Sequence, residues 1–224
     1  NFISDKTTTF KAFPGEKVII SGAKELKASW QPYKDGIYKT KVSEPVVQLF
    51  SDNVMMNIAR WPNTGINELL NRDTCGRMSG GGYSYFTCDD IPENVNWSGV
   101  RAQLWPGSQW YGYNKELTFN AKEKKFEFVE PFAPAENGYD SYDYLKPRKG
   151  STFYLYGVLD LLDCSGEWFY DSKTSELYFA TQNGDSPENH KISYKVYDYG
   201  FSANDCESIV VDGIDFIGCA AQLN

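Results

Sequence analysis

A single histidine, His190, serves the whole chain of 224 residues, and the five cysteines never form a Cys-x-x-Cys pair. That combination argues against a structural zinc centre, whose ligands come from clustered Cys and His. Arginine is almost as scarce, with five residues in a chain of net charge −8. No basic face is available to follow a phosphate backbone, so nucleic acid is not expected as a partner. A polyanionic substrate would need a local basic cleft, and the sequence shows none. No stretch approaches the roughly 20 apolar residues of a membrane span, so no membrane partner is expected. The N-terminus also lacks a basic-then-apolar leader, and Asn1 reads as a processed or truncated start.

What is abundant is aromatic. Sixteen Tyr, fourteen Phe and six Trp make up 16% of the chain, beside nineteen Gly and ten Pro. These are residues that fit a pleated, half-buried surface, and the composition is that of an all-β protein. The length suffices for one large β domain or two small ones, each with a real core.

Period-2 patterning is clearest near the C-terminus. Ile209, Val211, Ile214 and Phe216 alternate against Val210, Asp212 and Asp215, with Gly213 as a bend. Such a strand-bend-strand unit cannot bury its apolar side alone and needs a like unit stacked on it. The comparable stretch is residues 8–22, where Phe10, Ala12, Val18 and Ile20 repeat the pattern around Pro14-Gly15. The two are expected to be neighbouring coils, with the intervening chain an insertion. Inside it, hairpins are expected at 46–59 around Asp52-Asn53, at 117–129, and at 166–180 around the turn 171–176, with a single strand at 100–104.

Four of these pieces in order (10–22, Ala59-Arg60-Trp61-Pro62-Asn63, 166–171 and 208–216) resemble the N-terminal region of bacterial right-handed parallel β-helix proteins of the polysaccharide lyase and glycoside hydrolase type. The resemblance implies coils at 1–24 and 190–224 framing an inserted antiparallel β-sandwich or barrel-like domain at 25–189. It also implies a protein that handles polysaccharide, secreted, periplasmic or at the cell surface. Catalytic groups in such proteins lie on later coils, and the chain stops after about one coil of return. The expected role is a non-catalytic, polysaccharide-binding or accessory N-terminal region of a polysaccharide-degrading enzyme. Its rivals are an active lyase or hydrolase, and a capping or dimerisation domain without a ligand. The apolar solenoid end calls for further coils or self-association to cover it.

The candidate binding residues are Trp105, Gln109, Trp110, Tyr111 and Tyr113. Sugar C–H faces stack on aromatic rings while hydroxyls seek amides, and this loop offers both. Against that stands the reading that the rings cover the insertion's own core. Catalytic residues are not assigned: Asp160, Asp163 and Glu167 are the densest acidic set, but spacing alone does not make a pair of carboxyls. No cofactor is expected. Calcium at Asp89-Asp90 or at Asp140 and Asp143 matches no regular ligand loop, and His190 reads as an incidental surface residue. In an oxidising compartment a Cys75–Cys88 disulfide would staple the Gly-rich loop between them, the alternative being free buried thiols. Cys206 and Cys219 are a weaker candidate pair, since Cys in stacked coils often simply fills the interior, and Cys164 is left over.

Overall fold

The computed structural model describes residues 7–69, 71–133, 144–204 and 208–223. The fold is all-β, built from several sheets with short 3₁₀ turns. Cys206, Asp140 and Asp143 lie outside the described residues.

The two patterned ends do meet. Thr8–Lys11 pairs in parallel with Ile209–Asp212, placing Phe10 opposite Val211. Val18–Ser21 pairs in parallel with Ile214–Ile217, placing Ile20 opposite Phe216. A third parallel pair joins Tyr199–Ala203 to Ala220–Leu223. Gly213 makes the bend between the two C-terminal strands at φ +71°, a conformation that disfavours side chains. A Cβ there would also stand 3.2 Å from that of Ala12.

The rest is mainly antiparallel. Ala23–Glu25 and Ile192–Lys195 lie side by side, with Ser193 opposite Glu25, so the chain leaves and rejoins the parallel pairs at one place. They belong to a four-stranded sheet with the hairpin Leu49–Ser51/Val54–Met55. That hairpin turns on Asp52 (φ +51°) and Asn53 (φ +66°), the pair of left-handed residues that a two-residue turn of matching twist requires. A five-stranded sheet holds Glu167–Asp171 between Glu176–Ala180 and the parallel strand Asn57–Ile58.

The eight-stranded sheet carries the larger core. Along Arg101–Trp105, Ala102 and Leu104 point inward and the odd residues outward, and Lys125–Phe128 alternates likewise. Phe86 stacks at 5.2 Å on Phe126 and lies 4.7 Å from Phe153, all three fully buried. Each such ring contributes roughly 1.5–3 kcal/mol by its burial, and this packing holds the sheet together.

Cys75 and Cys88 are not bridged, contrary to the sequence reading. Cys88 is drawn into the core, where burial pushes its thiol up. The Cys75 thiol instead faces the Arg60 guanidinium, 3.7 Å away. Cys219 is also free, with its thiol against Ile20 O at 3.6 Å, in the space left by Gly200 and Gly22. His190 is not incidental either. Its side chain is mostly covered, with Nδ1 2.6 Å from Asp52 and Nε2 2.9 Å from Asp185, so it ties the hairpin turn to the 181–190 connector.

Candidate functional site

Because side chains alternate along a strand, the same packing that buries Leu104, Phe153 and Leu155 turns their neighbours outward. Arg101–Trp105 pairs with Thr152–Tyr156 in a register that sets Gln103 opposite Tyr154 and Arg101 opposite Tyr156. On the other side, Gln103 meets Asn114 and Arg101 meets Glu116. The outcome is one outward face on which rings and amides alternate.

Three rings run along it. Trp105 lies 6.3 Å from Tyr154, and Tyr154 lies 5.9 Å from Tyr156. Beside them runs a polar chain in which the Tyr156 hydroxyl bonds Asn114 Oδ1, and Asn114 Nδ2 donates to Gln103 Oε1 at 3.1 Å. Gly112 makes this convergence feasible, since a Cβ there would come within 2.8 Å of Gln103 Nε2 and 3.0 Å of Trp105 Nε1.

Arg60 flanks the track, directly opposite Tyr156 on the neighbouring strand. Only 2% exposed, its guanidinium stacks 3.9 Å from the centre of the Tyr154 ring, and Nε donates to Pro62 O at 2.9 Å. Planar guanidinium on an aromatic face is a favourable pairing that fixes the ring. Burial raises the Tyr154 phenol above its ordinary value despite that cation, so the hydroxyl stays protonated and able to donate.

The aromatic loop stands at one end of this face. Gln109 is anchored twice: Thr152 Oγ1 donates to its Oε1 at 2.9 Å, and its Nε2 reaches Gly150 O at 3.4 Å. Arg72 donates to its backbone carbonyl at 3.0 Å and lies 5.9 Å from the Trp105 ring. Trp110 is 76% exposed and stacks on Tyr144 at 6.1 Å. Tyr111 is also exposed.

Of the five residues expected from sequence, four therefore gather here, with two changes. Trp105 ends a strand rather than opening the loop. Tyr113 falls on the opposite face, edge-on to Phe132 at 5.2 Å and packed against the core, so it leaves the set. Sequence reasoning missed Tyr154, Tyr156, Gln103 and Arg60. The alternation Tyr154/Tyr156 against Phe153/Leu155 was the available signal for the first two.

Of the acidic set, only Asp163 comes close to Glu167, and Asp160 does not join them. Asp160 accepts from the Asn96 amide at 2.8 Å, Asp163 accepts from Asn63 Nδ2 at 2.8 Å, and Glu167 is sealed at 1% exposure. Among the described residues neither Glu167 carboxyl oxygen has a close hydrogen-bond partner, and the nearest backbone N–H groups are those of Arg60, Asp163 and Cys164. Burial first, and the charge of Asp163 second, push this carboxyl up to about 8. Among the described residues no three His, Cys, Asp or Glu side chains gather as a metal site would require.

No family model matches the sequence, and a search among curated proteins finds no match. Among solved structures, one described as a glycoside hydrolase superposes with a TM-score of 0.64 at 15% identity. The likeness covers 96% of this chain but only 39% of that one. At such identity the comparison speaks to architecture, and the chain shares an all-β fold with part of a glycoside hydrolase.

Proposed function

We propose that this chain is a non-catalytic, polysaccharide-binding region of a secreted or cell-surface polysaccharide-degrading enzyme. Residues 1–24 and 190–224 serve as coils of a parallel β-helix, and residues 25–189 form an antiparallel domain inserted between them. The three parallel strand pairs and the adjoining strands Ala23–Glu25 and Ile192–Lys195 support that division. The likeness to part of a glycoside hydrolase supports a carbohydrate-related role.

The observation that carries the binding role is the outward track of Trp105, Tyr154 and Tyr156 flanked by Gln103 and Asn114. Rings supply stacking surfaces for sugar C–H faces, and the amides supply donors and acceptors for hydroxyls. Glu167, closed to solvent, is not available as one of the two carboxyls that hydrolysis places beside the bond.

Affinity electrophoresis over a panel of plant and algal polysaccharides tests this, with Trp110→Ala as the control. Retardation of the wild-type chain by at least one polymer, weakened in the variant, is expected. Equal migration with and without every polymer would sink the proposal.

A further inference from the structure

Where the ring track ends, a groove begins. It encloses about 820 Å³ between the outward face of the eight-stranded sheet and the far end of the Glu167–Asp171 strand with the turn after it. Tyr156, Arg101 and Glu116 belong to both the track's sheet and the groove, so the two surfaces are continuous. The volume lies within the range of small-molecule sites, roughly 300–1,000 Å³.

We infer that this groove is the second half of one binding site, and that the site takes an uncharged, linear polysaccharide chain rather than a polyanion or a single sugar. The inference rests on the polysaccharide-binding reading above. Length is the first argument. From Trp105 back to Arg101 the strand covers about 13 Å, so a ligand touching Trp105 and entering the groove is longer than a disaccharide.

Charge is the second argument. The groove is lined by the cations Arg101 and Lys173 and by the carboxylates Glu116, Asp160 and Asp171. Arg101 is held by Glu116 at 2.8 Å. Asp171 accepts from the Lys173 amide and from Thr174 Oγ1, each at 2.9 Å, which holds its carboxyl below the ordinary value. No excess of positive charge remains to attract a polyanion, in a chain already at −8. Carboxylates with spare lone pairs do suit sugar hydroxyls, which donate to them. Phe169 and Tyr170 also line the groove, one from each face of their strand.

The hollow of about 710 Å³ under Trp97 and Phe119 is a different place, meeting this groove only at Asn96, Ser98 and Gly99.

Calorimetric titration with xylo-, manno- and galacto-oligosaccharides of two to six units, and with polygalacturonate as the charged arm, tests the inference. Affinity for one neutral series is expected to rise about tenfold or more between the dimer and the hexamer. Tyr170→Ala and, as the milder change, Asp160→Asn should each weaken the hexamer about fivefold or more and leave the dimer unchanged. Equal affinity for dimer and hexamer, hexamer binding untouched by both variants, or polygalacturonate binding more tightly than every neutral series would overturn it while polysaccharide binding stands. No binding to any oligomer or polymer would remove the underlying reading as well.

Discussion

Thr152 Oγ1 donates to Gln109 Oε1 across 2.9 Å, and this bond fastens the aromatic loop to the sheet beneath it. Gln109 sits at φ +60°, in the left-handed region, so its side-chain bonds also hold a strained backbone in place. Gln109→Ala should cost about 1–2 kcal/mol, read as a fall in Tm of about 3–6 °C for a chain of this size. Gln109→Gly loses the same bonds but relaxes the backbone, and should recover part of that loss. Thermal unfolding of both variants decides the matter: an alanine variant as stable as wild type would mean the loop is not fastened here.

Glu167 predicts a stability that falls with pH. Its folded-state value is about 8, above the ordinary carboxyl value of about 4.3 in an unfolded chain. Between those values the native state keeps a proton that the unfolded state releases, so stability declines from about pH 4.3 and levels off above about pH 8. Glu167→Gln should remove most of that slope. The variant is expected to exceed wild type by on the order of 2 kcal/mol at pH 8 and to lose that advantage at pH 4. Urea unfolding at pH 4, 6 and 8 measures it, and identical slopes for the two proteins would contradict the burial argument.

His190 acts in a neighbouring window. The hydrogen bond to Asp52, then that to Asp185, raises its value above the ordinary 6.5. Its contribution is therefore complete below about pH 6.5 and fades as pH rises through the raised value. Asp52 and Asp185 are lowered by the same bonds, so the clamp also weakens in acid, as pH drops through their depressed values. Both aspartates are largely exposed, so solvent screening keeps the gain small. His190→Ala should be destabilised near pH 5.5 and close to wild type at pH 9. A loss equal at both values would assign the effect to packing instead.

Much of this architecture was legible because the signals were local. The Asp52-Asn53 turn and the strands Glu167–Asp171 and Glu176–Ala180 announced themselves by turn chemistry and alternation. The likeness of residues 8–22 to 208–216 pointed to strands that do pair, because both carry apolar residues at matching alternate positions. The binding face was only half visible. Trp105 and Trp110 stand out in the sequence, but Tyr154 and Tyr156 reach Trp105 through a long-range register that no local pattern specifies. Tyr113 was misplaced because one step along a strand reverses the face. Arg60, Glu167 and His190 depend on what surrounds them, and a residue's identity says little about that.

Gly213 gives a prediction for the parallel pairs. With φ +71° and Ala12 close to its missing Cβ, Gly213→Ala should cost about 1–2 kcal/mol locally. Hydrogen exchange should show lost protection in Thr8–Lys11 and Ile209–Asp212 together, with Arg101–Trp105 unaffected. Loss confined to one of the two paired strands would contradict their mutual dependence.

The central claim is that the ring track holds polysaccharide. Equilibrium binding of the wild-type chain and of Trp105→Ala to the polymer that most retards the wild type tests it most directly. Aromatic anchors at binding surfaces typically account for about 1–3 kcal/mol or more each, so the variant should bind about tenfold more weakly while its circular dichroism is unchanged. Undiminished binding by a folded Trp105→Ala chain would contradict the account.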